Sequence, residues 1–168
     1  GNIRKKRLEA LDNLSNFAEV KIICEKKKIN NKFKKIKIIN NVKKLNNYDL
    51  DLLIICTPTD ISKKIYNKFV GKYHLLIEKP ITLNSNELLK NVKKSINRRK
   101  ILKAGYNLKY DSGLNYVKKV LKSNFIGKIY YCKTSYANGT AKSNSNNVGS
   151  IFDMASHSVN LLMWLFNS

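Results

Sequence analysis

Short apolar runs recur from the start of the chain to about residue 105, and each run ends in a polar residue or a proline. Runs of this kind are typical of strands that are buried on both faces of a sheet. We predict strands over residues 18–25, 36–39, 50–57, 74–78 and 100–104.

Between these runs, apolar residues recur three and four positions apart, which predicts amphipathic helices over residues 2–13, 60–70 and 85–97. Asn84 is the expected cap of the last of these helices, because Glu87 follows it at the spacing of a capping box. Strands that alternate with helices favour an α/β fold with a parallel, doubly wound sheet of the Rossmann type.

The pattern changes after Gly105. A helical stripe runs from Leu114 to Leu121, an apolar stretch over 129–136 predicts a longer strand, and 151–166 predicts a helix. The Gly-, Ser- and Asn-rich stretch over 138–150 predicts a loop. We therefore expect one domain over residues 1–106 and the beginning of an α+β domain over residues 107–168.

The two ends of the sequence carry an expectation of their own. The sequence opens on Gly1 inside a helical pattern and stops directly after the apolar stretch 161–166. An apolar helix face needs a surface that covers it. We expect a piece of a longer protein that lacks the first strand and most of the second domain, and we expect this piece alone to be inactive.

The net charge of +22, from 33 Lys and Arg against 11 Asp and Glu, raises the question of nucleic-acid binding. The lysines are spread along the whole chain, and no stacking motif of the RNA-binding kind is interleaved with them. The chain is also rich in Asn and Ile, as an A/T-biased coding sequence would produce. We favour a solvated basic surface, and nucleic-acid binding stays as the less favoured alternative.

Cysteine usage and hydropathy indicate a cytoplasmic protein. The three cysteines, Cys24, Cys56 and Cys132, are widely spaced in apolar runs and show neither a disulfide pattern nor metal-ligand spacing, so we expect no metal. No stretch has the features of a signal peptide, and none approaches the roughly 20 apolar residues of a membrane span.

Polar residues that end two buried strands are the first candidates for chemistry. Thr57 and Pro58 end one strand, and Glu78 and Lys79 end another. Ligands bind at the carboxyl ends of the strands in parallel sheets, so both segments face one crevice. The alternatives are an ordinary helix start at Pro58 and a solvated lysine at position 79.

Asp153 and His157 are the second pair of candidates. At positions i and i+4 they share one face of the predicted helix. The carboxylate can hold the imidazole in one tautomer, and a histidine exchanges a proton near neutral pH. The alternative is an ordinary surface pair. His74, the other histidine, starts a buried strand, where a structural role is expected.

The opening of the chain gives a third candidate. A dinucleotide site needs a glycine-rich turn before its first helix, and here Gly1 is the glycine in that place. Glu25 lies about 20 residues further on at a strand end, where an acid can accept both hydroxyls of an adenosine ribose. The alternatives are an ordinary lysine-rich surface helix at the opening and an exposed strand-end glutamate without a ligand.

In this order the motifs resemble the Gfo/Idh/MocA family, named for glucose–fructose oxidoreductase, inositol dehydrogenase and rhizopine catabolism. The resemblance covers nearly the whole chain. The segments that carry it are Gly-Asn-Ile at 1–3, Leu-Glu-Ala-Leu at 8–11, 51–59, Glu-Lys-Pro-Ile at 78–81, 105–110, 126–129, 138–141 and 153–157.

The resemblance implies an N-terminal Rossmann domain that binds NAD or NADP, and hydride transfer between the nicotinamide and a hydroxyl-bearing carbon of a sugar, nucleotide sugar or cyclitol. It implies that Lys79 binds the reacting hydroxyl, that His157 exchanges the proton and that Asp153 orients the substrate. The implied cofactor contacts are Gly1, Asn2, Ile3, Glu25, Thr57, Pro58, Glu78, Lys79 and Asn107. We expect no nucleic-acid or membrane partner, and a homo-oligomer is compatible with the full-length form.

Four positions depart from the family pattern. Arg4 stands where the third glycine of the turn is usual, and Arg7 where the first helix usually carries a histidine. Ser62 and Asn160 replace a histidine and an acidic residue. A degenerate, non-catalytic member of the same fold is therefore the main alternative function.

Overall fold

The computed structural model describes residues 2–26, 36–136 and 151–167. The α-helices are α1 (Asn2–Asp12), α2 (Thr59–Phe69), α3 (Ser85–Asn97), α4 (Ser112–Lys122) and α5 (Ser156–Phe166). The strands are β1 (Ile22–Cys24), β2 (Lys37–Ile39), β3 (Leu52–Ile55), β4 (His74–Ile77) and β5 (Leu102–Ala104). Short 3-10 helices cover Val42–Asn47 and Leu108–Tyr110, and a π-helical turn covers Ile151–Ala155.

All strand pairs are parallel, which confirms the predicted sheet type. β1 pairs with β2, and β3, β4 and β5 form a second group in that order. The register of the second group places Leu53 beside Leu75 and Leu75 beside Leu102. Because β3, β4 and β5 are parallel neighbours, their carboxyl ends lie along one edge of the sheet.

The core lies where α2 covers the second group of strands. Tyr66 and Phe69 on α2, and Leu75 and Ile77 on β4, are essentially without solvent exposure. These apolar side chains recur at helical spacing on α2 and at alternate positions on β4, so each element turns one face to the same core.

The predicted cap of α3 is confirmed. Asn84 Oδ1 accepts a hydrogen bond of 3.0 Å from the Glu87 N–H. The Glu87 carboxylate does not return to the Asn84 N–H as in a full capping box. It accepts instead from Asn67 Nδ2 (2.6 Å) and pairs with Lys63 (2.9 Å), both on α2. Asn84 therefore caps α3, and Glu87 connects α3 to α2.

Two predictions after Gly105 need correction. Residues 129–136 form no strand and pair with nothing in a ladder in the part of the chain described, and Tyr130 and Tyr131 there are largely exposed. A strand is stable only beside a partner strand, which an apolar pattern cannot guarantee. The helix over 151–166 is α-helical only from Ser156, after the π-helical turn. The loop over 138–150 lies outside the described residues.

None of the helices described is long and apolar enough to span a lipid bilayer.

Candidate active site

The strand ends meet through hydrogen bonds that continue the sheet beyond β3, β4 and β5. The Glu78 N–H donates to the Ile55 carbonyl (3.0 Å), and the Gly105 N–H donates to the Ile77 carbonyl (2.7 Å). The segments after the three strands are therefore held side by side. Lys79 and Thr57, predicted to face one crevice, lie at this common edge.

Arg7 holds the segment that carries Lys79. Its Nε and Nη2 atoms donate to Glu78 Oε1 at 2.9 and 2.6 Å. The Glu78 side chain is only 17% exposed, and that of Arg7 is 32% exposed. A charge-assisted contact from two donors restricts both side chains more than a single bond would. The residue directly before Lys79 is thus fixed to α1, and the Lys79–Pro80 peptide is cis.

Gly105 is in close contact with this ion pair. A Cβ atom at position 105 would lie 2.8 Å from Glu78 Oε2, 3.1 Å from Glu78 Cδ and 3.2 Å from Arg7 Nη2. A side chain at this position would require the Glu78 carboxylate or the Arg7 guanidinium to move. The ion pair therefore fixes the ends of β4 and β5 as well as α1.

Arg4 makes a similar contact with the other group of strands. It forms an ion pair with Glu25, the residue after β1, and both side chains are 27% exposed. The Glu25 N–H donates to the Ile39 carbonyl at the end of β2 (2.9 Å). Arg4 and Arg7 are three residues apart on one helix face, so α1 joins the carboxyl ends of both strand groups.

Thr57 is held by Ser62, which is 1% exposed. The Ser62 hydroxyl donates to the Thr57 carbonyl (2.8 Å) and lies 2.9 Å from Thr57 Oγ1. A hydroxyl has one proton, so the Thr57 hydroxyl is the donor of the second bond. Its lone pairs remain on the side away from that proton. Pro58, next along the chain, is exposed.

His157 lies near the end of β5, packed between two tyrosine rings. Its ring centroid is 5.7 Å from that of Tyr106, edge to face, and 5.1 Å from that of Tyr136. The histidine is 7% exposed. Tyr106 directly follows Gly105, so backbone and ring contacts connect His157 to the segment that carries Lys79.

The structure gives less detail for the remaining predicted site residues. The backbone of Asp153 lies in the π-helical turn that precedes α5, and its side chain is outside the description. Asn107 is exposed, one residue after Tyr106. Asn2 begins α1, Ile3 is exposed, and Gly1 is outside the described residues.

His74 has the structural role expected of it. Its Nδ1 atom accepts a hydrogen bond of 3.0 Å from the Ile101 N–H. This bond ties the start of β4 to the residue before β5.

Two cysteines near the strand ends are unsuited to nucleophilic chemistry. Burial raises the pKa of the Cys56 thiol, and the Glu78 carboxylate raises this pKa further. Burial and Glu25 likewise raise the pKa of Cys24. Because the thiolate is the reactive form, neither group is activated near neutral pH.

Arg4, Arg7 and Ser62 depart from the family pattern, and in the structure they hold Glu25, Glu78 and Thr57. One signal was available for the arginines. Both lie on the same face of a helix that precedes two strand-end glutamates. For Tyr106 and Tyr136, no spacing pointed to His157.

Comparison with known families agrees with this architecture. Residues 1–106 match the model of the family described as an oxidoreductase family with an NAD-binding Rossmann fold. The chain belongs to the Gfo/Idh/MocA family. The resemblance inferred from the motifs is confirmed.

Curated proteins of known activity match shorter stretches of the chain. An inositol 2-dehydrogenase/D-chiro-inositol 3-dehydrogenase of Halalkalibacterium halodurans is 26% identical over 98 residues, which are 58% of this chain and 28% of that protein. A 2,7-anhydro-N-acetylneuraminate hydratase of Escherichia coli is 29% identical over 86 residues, which are 51% of this chain and 23% of that protein. The chain thus spans about a quarter of the length of these relatives.

Solved structures show the same fold over most of the chain. A probable dehydrogenase from Thermotoga maritima has a TM-score of 0.80 at 18% identity, covering 93% of this chain and 50% of that one. A myo-inositol 2-dehydrogenase from Lactobacillus plantarum has a TM-score of 0.77 at 20% identity, covering 88% and 48%. At these identities the likeness concerns the fold.

Proposed function

We propose that the chain is part of an NAD(P)-dependent oxidoreductase that transfers a hydride between the nicotinamide and a hydroxyl-bearing carbon of a sugar, nucleotide sugar or cyclitol. The observation that supports this most is the series of contacts that runs from Arg7 and Glu78, beside Lys79, through Gly105 and Tyr106 to His157. In this proposal Lys79, after β4, is the cationic donor, and His157, packed against the residue after Gly105, is the proton-exchanging group.

The residues at this edge suit a dinucleotide. Glu25 ends β1, where an adenosine ribose binds in such sheets, and Arg4 adds a cation beside it. Thr57 and Pro58 end β3 with an oriented hydroxyl and an exposed ring that can contact the cofactor. When bound, the nicotinamide supplies the hydride chemistry, and the protein supplies binding and positioning.

Lys79 and His157 have separate roles in this proposal. The Lys79 ammonium donates to the oxygen of the reacting hydroxyl and stabilises the negative charge that grows there. His157 accepts the hydroxyl proton in oxidation and returns it in reduction. Asp153 binds or orients the substrate beside His157. Packing against the Tyr106 and Tyr136 rings limits the rotation of the imidazole.

The relatives support the reaction class to different degrees. One is an inositol dehydrogenase, which fits a cyclitol substrate, and another is a hydratase. A catalytic role for the described residues is therefore the point to test. A non-catalytic member would keep the Rossmann domain and bind a dinucleotide without turnover.

The test uses the protein expressed from the complete reading frame that contains this sequence. Nicotinamide absorbance is followed with NAD and NADP against a panel of cyclitols, free sugars and nucleotide sugars. We expect turnover with at least one substrate, and a loss of about 10²–10⁴ in rate for His157→Ala. Lys79→Ala should also lower the rate, and its matched control Lys119→Ala, at an exposed lysine on α4, should leave the rate unchanged. Dinucleotide binding without turnover would support the non-catalytic alternative, and a fully active His157→Ala protein would exclude the proposed role.

A further inference from the structure

A cavity of about 490 Å³ lies beside the ends of β1 and β2, next to the ion pair of Arg4 and Glu25. Its lining is basic and partly aromatic. The residues that line it are Glu25, Lys26, Lys37, Ile38, Ile39, Asn40, Lys44 and Tyr48. Glu25 belongs to both the cavity and the ion pair, so the charge of Arg4 acts on this space as well.

The charges around the cavity favour an anion. Lys26, Lys37 and Lys44 contribute three ammonium groups against the single carboxylate of Glu25. Arg4 compensates that carboxylate by direct pairing. A strand-end acid normally disfavours a phosphate on the ribose 2′ oxygen, because two negative charges would meet there. Here the acid is neutralised by its neighbour and outnumbered by lysines.

Contacts in the structure hold the surroundings of two of the lysines, Lys37 and Lys44. The Lys37 ammonium lies over the Tyr48 ring, 5.2 Å from its centroid. The carbonyl of Tyr48 accepts a hydrogen bond of 3.3 Å from the buried Tyr73 hydroxyl, which fixes the backbone there. Lys44 is in the 3-10 helix Val42–Asn47, whose N-terminus is capped by Asn41. Hydrogen bonds therefore hold the backbone of the 3-10 helix that carries Lys44 and of Tyr48, on whose ring Lys37 lies.

We propose that this cavity binds the 2′-phosphate of a dinucleotide, so that the protein prefers NADP over NAD. In this proposal, Lys37 and Lys44 contact the phosphate, and Arg4 is the specificity-determining residue that offsets Glu25. The inference rests on the proposed function, because it presumes that the adenosine ribose lies beside Glu25. A basic side chain near the strand-end acid is the general means by which such folds accept a 2′-phosphate.

The experiment compares two isomeric probes by isothermal titration calorimetry at about 0.15 M salt, which screens long-range attraction to a basic protein. Adenosine 2′,5′-bisphosphate and adenosine 3′,5′-bisphosphate carry the same charge and differ in the position of one phosphate. We expect the 2′,5′ isomer to bind about tenfold more tightly, as one well-placed charged contact provides. NAD and NADP are titrated in parallel.

Variants assign the preference to the cavity. Lys44→Ala and Arg4→Ala should each reduce the ratio of the two dissociation constants to about twofold or less. The exposed Lys119→Ala should leave the ratio unchanged. Lys44 is exposed, so its variant reports on binding even where Arg4→Ala proves unstable.

Three results overturn the inference, and they differ in what else they affect. Equal binding of the two isomers, with NAD and NADP both bound, refutes the 2′-phosphate site and leaves the proposed function intact. An unchanged ratio in Lys44→Ala places the preference outside this cavity. Binding of neither dinucleotide refutes the proposed function together with the inference.

Discussion

Arg7 donates two hydrogen bonds, of 2.9 and 2.6 Å, to the same carboxylate oxygen of Glu78, 71 residues further along the chain. Arg7 belongs to the first helix, and Glu78 directly precedes the proposed catalytic lysine. The pair therefore ties the segment of Lys79 to a helix that also holds Glu25 through Arg4. Arg7, a position that departs from the family pattern, thus makes a structural contact beside the proposed site.

Removal of Arg7 should destabilise the protein. Arg7→Ala leaves the mostly covered Glu78 carboxylate without its charged donor, at an expected cost of about 1–3 kcal/mol in the free energy of unfolding. Urea denaturation followed by circular dichroism measures the difference. Lys6→Ala, an exposed position on the same helix, is the control and should change stability by about 0.5 kcal/mol or less. An Arg7→Ala protein as stable as the control would show that the pair contributes nothing.

A side chain at position 105 should disturb the same contact. Gly105→Ala places a Cβ atom 2.8 Å from Glu78 Oε2, and a movement of the carboxylate would disturb its hydrogen bonds to Arg7. We expect a loss of about 1–3 kcal/mol from this overpacking. The loss should be smaller in an Arg7→Ala background, because Glu78 can then rotate away. Strictly additive losses in the double-mutant cycle would contradict the proposed coupling.

The three cysteines should react with a thiol reagent in a fixed order. Cys132 is exposed, whereas Cys24 and Cys56 are partly covered and have pKa values raised by burial and by neighbouring carboxylates. We expect one fast reaction near neutral pH, lost in Cys132→Ser, and two slow reactions that accelerate as the pH rises. Peptide mapping after a short exposure identifies the sites. Early labelling of Cys56 would contradict the structure around Glu78.

Glu87 should make part of the stability depend on pH. Hydrogen bonds from Asn67 and Lys63 lower the pKa of its carboxyl group. The ionised form is favoured in the folded state, so its contribution is present above the ordinary pKa of a glutamate and is lost as the pH falls through the lowered value. Glu87→Gln should be less stable than the wild type near neutral pH, and the two should converge in acid.

The control for Glu87 is Glu9→Gln, which removes an exposed partner 3.9 Å from Lys5 on α1. Such a surface pair contributes little to stability. Unfolding free energies across the acidic range should therefore be the same for Glu9→Gln and the wild type. A difference between wild type and Glu87→Gln that does not change with pH would exclude the carboxylate as its source.

Local patterns predicted most of the first hundred residues. Helix spacing located α2 and α3 to within a residue or two, and the cap at Asn84 followed from the position of Glu87. The buried strands and their parallel pairing followed from short apolar runs between helices. These features depend on neighbours in sequence, which is why the sequence alone was sufficient for them.

Contacts between distant segments could not be predicted in the same way. The pairs formed by Arg7 with Glu78 and by His157 with Tyr106 join segments that only the folded chain brings together. The prediction of a strand over 129–136 was wrong because an apolar stretch does not specify a partner strand. Lys79, Thr57 and Glu25 were placed correctly at strand ends, whereas their supporting residues became visible only in three dimensions.

The central claim is hydride transfer between the nicotinamide and the substrate carbon. It is tested most directly with reduced nicotinamide that carries deuterium at both C4 positions, with the protein from the complete reading frame and the oxidised form of its sugar or cyclitol substrate. The account predicts that mass spectrometry finds the deuterium on the carbon that becomes the alcohol, and that His157→Ala forms this product about 10²–10⁴ times more slowly. A product that forms at full rate without the deuterium would contradict the account.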